Sequence, residues 1–405
     1  MPPSVKRFKA YQTKGVEAPW YRGWDLTEEE RDRFRRNTIA SQAAKTKAMR
    51  GECDRPKHLI PTPSLIAENL MSVMDPNGLT SLSLFSGGGG LDIGFDRAGF
   101  AHIASYEIRE DAAAVLHTAK PHWTVFGGAQ GDVCEVDWKR YRGGIDVLHG
   151  GPPCQPFSHA GYQSGANDVR DMFPELVRAV EAILPRAFVA ENVPGLAAAK
   201  FSDYLQTTIF EPLRRKYVVR MFALDAASFG VPQRRRRVFF VGFRNRKEAD
   251  AFQPPSPTFA FRNRAQRALA LGDSEHEIPF CMGAREALGL PSIGFDGLAP
   301  TLRSGFTGPR HTTSVVNSVT AMKQWNDLGI WPNGVAEDRE KASAFVAENG
   351  HFRLSIPDCM LLQGFPSNWP IKAPVYKALG LIGNSVAPPM GYRVALAVAR
   401  SLGAG

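Results

Sequence analysis

Paired cysteines are missing from this chain. The five it has, Cys53, Cys134, Cys154, Cys281 and Cys359, are odd in number and far apart, with no C-x-x-C. This excludes a disulfide framework and zinc sites of the usual spacing, so no metal is expected and a reducing cytoplasm is the natural compartment. The opening "MPPSVKRFKAYQTKG" lacks the apolar core of a signal peptide, and no later run is long enough to span a bilayer, so no membrane partner is expected. Internal repeats are lacking too. A glycine-rich run at 87–90 does not keep the dinucleotide spacing G-x-G-x-x-G, because the third glycine's place falls on Asp92 or Ile93, which disfavours a nicotinamide dehydrogenase.

The 405 residues can bury a large core, and 43% hydrophobic with 22% charged content is ordinary for a globular protein. A formal charge of +9 points to a polyanionic partner. The excess is uneven: through residue 57 there are 14 Lys or Arg against 8 Asp or Glu. A basic N-terminal extension over 1–78 is therefore expected to touch DNA non-specifically. Thr27 to Glu30 forms a Thr-x-x-Glu capping box, predicting a helix to about Arg50, and a second helix is predicted from Thr62-Pro63 through Leu65, Ile66, Leu70 and Met74.

From Leu79 the pattern becomes strand, turn, helix, repeated. "LTSLSLF", "AHIASYE", "GIDVLHG", "RAFVAEN", "YVVRMFAL" and "RRVFFVGF" read as strands with helices between them. This predicts an α/β fold with a doubly wound, mostly parallel sheet. Residues 244–351, rich in Pro, Gly, Ser, Thr and Arg, are too long for one loop and predict a smaller irregular domain. Ordered structure returns over 352–405, which is expected to complete the domain begun at 79–243.

Open α/β sheets place ligands at the carboxyl ends of their strands, and several chemistry-bearing residues fall there. The glycines after Phe85 let a ligand approach the backbone at a helix start. Glu107 ends the second strand, where an acid can hold ribose hydroxyls, and Asp132 could meet an adenine amino group. Cys154 follows the strand "GIDVLHG" inside "GGPPCQPFS". A free cysteine is usually a small buried hydrophobe. Three flanking prolines hold this one stiffly, as suits a nucleophile. Glu191, in "AENVPG", ends another strand at the same edge and can hydrogen-bond or protonate a substrate ring. "QRRRRVFFVG" puts Gln233, Arg235 and Arg237 on alternating positions entering a strand, as fixed contacts to an anion or carbonyl require.

Together "LFSGGGGLDIGFDRAGF", "YE", "GDV", "GGPPCQPFS", "ENVPG", "QRRRRVFFVG", "RLSIPDCMLLQGFP" and "YKALGLIGNSVAPPMG" resemble, in order, the motifs of the DNA (cytosine-C5) methyltransferases, from residue 79 to 392. The resemblance implies the Rossmann-like S-adenosylmethionine-dependent methyltransferase fold, with 244–351 as target-recognition domain. It implies that Cys154 adds to C6 of a flipped-out cytosine in double-stranded DNA. By the same resemblance Glu191 holds and protonates N3, Asn192 orients Glu191, Arg235 contacts the cytosine O2 and Arg237 supports the site. Phe85, Gly87, Gly89, Gly90, Leu91, Glu107, Ile108, Asp132, Val133 and Gly151 would form the S-adenosylmethionine pocket, completed by Asn384 and Ser385. Pro153, Gln155, Ser158 and Gln233 would face substrate or DNA, joined by Thr301, Leu302, Arg303 and Arg310 from the recognition segment. Restriction-modification enzymes of this kind act beside a cognate endonuclease, a functional partner.

Three positions depart from the family pattern: Arg236 replaces a common acid, Ala387 a frequent proline, and "RLSIPD" varies the usual sequence. Two other readings stay open. A tRNA cytosine-C5 methyltransferase shares the catalytic motifs, although "GFTG" lacks the cysteine of its usual Cys-Phe-Thr tripeptide. A DNA-binding regulator could use the N-terminal extension, although Cys154, Glu191 and Arg235 are intact.

Overall fold

The computed structural model describes residues 28–52, 57–153, 171–261, 278–302, 313–316, 318–347 and 349–404. The predicted sheet is present with seven strands in the order β3-β2-β1-β4-β5-β7-β6. These are β1 (Thr80–Leu84), β2 (Ala101–Glu107), β3 (Val125–Gly127), β4 (Val147–Gly150), β5 (Ala187–Asn192), β6 (Val218–Asp225) and β7 (Arg236–Phe243). The first five strands are parallel; β7 runs antiparallel between β5 and β6. Strands β2 and β3 extend to one side of β1 and β4 begins the other side, so the topological switch point lies between β1 and β4. The turn at 85–90 and the turn at 150–153 leave the sheet there, the place where open α/β sheets bind ligands.

The strands form because they are short, apolar and buried on both faces: all six residues of β5 and all four of β4 are interior. One face carries Val147, Val189, Phe239 and Val241 under helices α2 (Gly90–Arg97) and α3 (Glu110–Ala119). The other carries Leu82, Leu148, Phe188 and Phe240 under α4 (Phe173–Ile183) and a helix over 202–213. That last helix contains a π-turn at Gln206–Phe210. A long N-terminal helix, α1 (Glu28–Met49), agrees with the capping-box prediction.

The second predicted helix does not form. Between Thr62 and Met74 there is only a 3-10 turn, Ala67–Leu70. The amides of Ser64 and Leu65 both donate to the Ala287 carbonyl, so the backbone there is committed to a distant partner. Leu65, Leu70 and Met71 still bury themselves, while Ile66, Val73 and Met74 are exposed.

The described part of the irregular region contributes helix α5 (Val319–Asp327) and β8 (Ile330–Ala336), which pairs in parallel with β9 (Phe352–Ser355) at the start of the returning segment. Its apolar residues Ala284, Leu302, Trp325 and Ile330 join the core of the first sheet face instead of forming one of their own. After β9 come α6 (Ile356–Gln363), α7 (Val375–Asn384) and α8 (Pro388–Ser401). A reciprocal capping box between Ser355 and Asp358 starts α6, and Gly364 at φ 81° ends it. Among the described residues no helix is long and apolar enough to cross a membrane.

Helix α8 returns to lie on α2. A Cβ on Gly90 would sit 2.1 Å from the Val386 carbonyl oxygen, and one on Gly94 would sit 2.4 Å from the Tyr392 nitrogen. Glycine is thus required here for helix packing. Beneath α2, Asp92 is buried and accepts from Ser105 Oγ at 2.9 Å. Burial lifts its carboxyl to about 6, against the pull of serine hydroxyls at 83, 86 and 105.

Two outcomes follow. Gly90→Ala and Gly94→Ala each push backbone against backbone, and urea unfolding is expected to show a loss of about 1–3 kcal/mol or more. Asp92 favours folding only while protonated, so its contribution is complete below pH 3.8 and is lost as pH rises through about 6. Relative to Asp92→Asn, the parent chain should lose about 3 kcal/mol of stability between pH 4 and 7, read from unfolding curves at each pH.

Candidate active site

The β1 turn is strained where the sequence expects a ligand. Phe85 adopts φ 56°, an unusual conformation for a bulky residue, followed by Gly87 at 55° and Gly89 at 86°. The turn is held from both sides. The Gly87 N–H donates to Glu107 Oε2 at 2.7 Å, and the Arg109 N–H donates to Oε1 at 2.8 Å. Trp369 Nε1 donates to the Gly88 carbonyl at 2.9 Å, and its ring closes the space beside Gly89. A Cβ on Gly88 would lie 2.7 Å from Ser385 Oγ. Gly88, Gly89 and Gly90 therefore answer to packing, whereas a Cβ on Gly87 would find nothing nearer than the Phe85 carbonyl oxygen at 3.9 Å.

Burial raises the Glu107 carboxyl above the ordinary carboxylate range, although the two amide donors and Arg109 oppose the shift. Beside it Ile108 is an apolar side chain 38% exposed. Asp132 accepts from the Cys134 N–H at 2.9 Å, starting the turn that buries Val133, and burial raises its carboxyl too. An acid at the strand end, an exposed apolar side chain next to it and a glycine turn with one open side fit an adenosine-containing cofactor. Leu91 is buried against α2's neighbours, Asn384 is exposed at the end of α7, and Ser385 is buried below the turn.

The second turn leaves β4 at Gly150 and is described through Pro153. Asn192 Nδ2 donates to the Pro152 carbonyl at 3.1 Å, while its Oδ1 accepts from the Val193 N–H at 2.8 Å. Asn192 therefore fixes this turn, and the orienting of Glu191 falls to Arg237. Arg237 Nε lies 2.8 Å from Glu191 Oε1, with both side chains under a tenth exposed. Burial raises the Glu191 carboxyl, and Arg237 and Arg235 hold the rise back. Glu191 Oε2 lies 3.0 Å from where a Cβ on Gly151 would be, so a larger residue there would press on the Glu191 carboxyl. Cys154, Gln155, Ser158, Arg303 and Arg310 lie outside the described residues.

Four residues expected to contact substrate or DNA are hydrogen-bonded within the chain. Arg235 has 0% exposure, and its Nη2 donates to the carbonyls of Gly383 at 2.8 Å and Ser385 at 2.6 Å, joining β7 to the C-terminal return. Gln233, also at 0%, donates to the Leu362 carbonyl and to Gln363 Oε1, and accepts from the Leu302 N–H. Leu302 is 2% exposed. Gln233 and Leu302 thus form an interior joint and are closed to DNA. Thr301 is half-buried, and its Oγ1 donates to the Arg234 carbonyl at 2.6 Å.

Sequence reasoning missed Trp369, a lone tryptophan in "SNWP" with no local signal. It missed also the buried pair of Asp171 and Tyr204, whose hydroxyl lies 2.8 Å from both carboxylate oxygens at the start of α4. Metal-ligating groups of three or more are absent among the described residues.

Arg237→Met leaves Glu191 buried without its cation. The expected cost is about 3–5 kcal/mol, larger at pH 8 than at pH 5, where protonation relieves the uncompensated charge. Unfolding curves at the two pH values check both size and sign.

The profile of the C-5 cytosine-specific DNA methylases matches residues 79–400. Among curated proteins, the type II methyltransferase M.NgoMIV of Neisseria gonorrhoeae is 32% identical over 336 residues, 80% of this chain and 98% of that protein. M.NaeI of Lentzea aerocolonigenes is 32% identical over 259 residues, 64% of this chain and 60% of that protein. Among solved structures, a DNMT2 variant of Spodoptera frugiperda aligns with a TM-score of 0.52 at 16% identity, covering 79% of this chain and 99% of that one. An Escherichia coli prophage protein aligns at 0.50 and 21% identity, covering 80% and 99%. These two show the shared Rossmann-like fold. The profile match over most of the chain, with M.NgoMIV aligned along almost its whole length, shows that the chain belongs to the C-5 cytosine-specific DNA methylase family.

Proposed function

We propose that this enzyme transfers a methyl group from S-adenosylmethionine to C5 of a cytosine turned out of double-stranded DNA, in one short sequence context. The observation that carries this reading is the buried Glu191–Arg237 pair beside the turn that leads into Cys154. An acid raised by burial is suited to share a proton with a ring nitrogen, and a neighbouring guanidinium fixes its direction.

In the proposed reaction the Cys154 thiolate adds to C6 while Glu191 holds the proton on N3, which makes C6 electrophilic. S-adenosylmethionine, when bound, supplies an electrophilic methyl group to C5. A base then removes the C5 proton and Cys154 leaves. Glu107 would hold the ribose hydroxyls, Ile108 the adenine face, and Asp132 the adenine amino group. Phe85 and Gly87 would line the turn, with Gly89, Gly90, Leu91, Val133, Gly151, Asn384 and Ser385 supporting it. Arg235 we assign to placing residues 383–385, and Asn192 to placing residues 150–153.

The proposed division of the chain keeps 79–243 and 352–405 as the catalytic part, with 244–351 reading the target and 1–78 adding non-specific DNA contact. M.NgoMIV is named a type II methyltransferase, which supports a restriction-modification role with a cognate endonuclease, and work on the chromosome in the cytoplasm.

Bisulfite sequencing of DNA from a methylation-free bacterial host expressing the chain tests the reading. Cytosines protected in one context, and unprotected with Cys154→Ala, are expected; no protection by soluble, cofactor-binding protein would overturn it. Glu191→Gln should lower the methylation rate by about 10²–10⁴-fold.

A further inference from the structure

Residues 233–237 enter β7 with a strict alternation of exposure. Gln233, Arg235 and Arg237 are buried, while Arg234 and Arg236 are exposed. The buried residues are accounted for by the interior joint, the C-terminal return and Glu191. The exposed pair is not used by any of these.

Their position is informative. Because β7 runs antiparallel to β5, with Asn192 opposite Val238 and Glu191 opposite Phe239, Arg234 and Arg236 lie just beyond Asn192. That is the sheet edge where the Pro152 turn and Glu191 also emerge. The Arg234 backbone is hydrogen-bonded to Ala299 and Thr301, at the seam between the sheet and the irregular region. Asp225 is the ladder partner of Arg236, and its Oδ1 accepts from the amides of Ala227 and Arg235. The nearest acid on the ladder is thereby engaged by backbone donors. Arg236 also stands where a resembling family member commonly has an acid, so the second positive charge is a property of this chain.

We propose that Arg234 and Arg236 together form a phosphate clamp that holds a DNA strand across the catalytic edge. The proposal rests on the reading of DNA as substrate. Extended residues two apart place their side chains about 6.6–6.8 Å apart. That spacing lets both guanidinium groups reach phosphates of one strand. Arginine's planar fork suits phosphate oxygens, and a contact at the backbone positions the strand without reading its sequence. The clamp would fix the strand at the seam, between the pocket that receives the base and the segment that reads its neighbours.

The test is fluorescence anisotropy of the full chain on a labelled mixed-sequence duplex over a series of KCl concentrations. For Arg234→Gln and Arg236→Gln the slope of log K against log salt should fall by about 0.9 each, and by about twice that in the double variant. The loss should be equal across duplex sequences, and Arg236→Lys should restore the slope. S-adenosylmethionine binding, followed by calorimetry, should match the parent and certify the fold. A double variant that binds cofactor normally and keeps the parent slope overturns the clamp while leaving the function intact. A parent chain that binds no duplex at all overturns both.

Discussion

Helix α8 rests on α2 at a distance that only glycine permits. Gly90 and Gly94 leave their space to Val386 and Tyr392, and one turn earlier Gly88 leaves its space to Ser385. A sheet domain begun near residue 79 is thus closed by a backbone segment some three hundred positions later. Arg235 reinforces the closure from the opposite direction, donating to two carbonyls of the same returning segment. The β1 turn, the end of β7 and the return form one mutually supporting unit. Residues placed near the proposed chemistry act largely by holding that unit in shape.

The electrostatics follow the same logic. Glu107 and Glu191 stand at two strand ends on either side of the switch point, and burial raises both carboxyls. Their partners differ. Glu107 is satisfied by two backbone amides, which cannot lose their dipoles, whereas Glu191 faces the buried guanidinium of Arg237. The first arrangement ties the carboxyl to the β1 turn. The second leaves an acid whose protonation can respond to what enters beside it.

Much of this could be read from the chain. Continuous apolar strands ending in turns specify the sheet without tertiary help, and Glu107, Glu191 and Gly151 fall where strand ends put them. The failures share one cause: a local pattern overruled by a partner far away in sequence. The 62–74 segment has helical spacing, yet its amides bond to Ala287, and Gly289 brings the two backbones close. Gln233 is expected to face substrate or DNA, but Gln363, 130 residues on, accepts from its buried amide. Arg235 makes the carbonyl contact its pattern suggests, but with Gly383 and Ser385, about 150 residues on. Trp369 has no periodic context and becomes visible only once its indole is found on the Gly88 carbonyl.

The return of α8 also sets a schedule for synthesis. A ribosome delivers β1, its glycine turn and both strand-end acids long before Val386 and Tyr392 exist to fill the gap above α2. Until then Gly88, Gly90 and Gly94 line an open groove, and the carbonyl partners of Arg235 are missing. Such distant contacts make folding slow, since loop closure precedes the reward for it. The growing chain therefore carries the parts of this sheet edge in an unfinished state, and assembly of that edge is coupled to synthesis of residues 383–392.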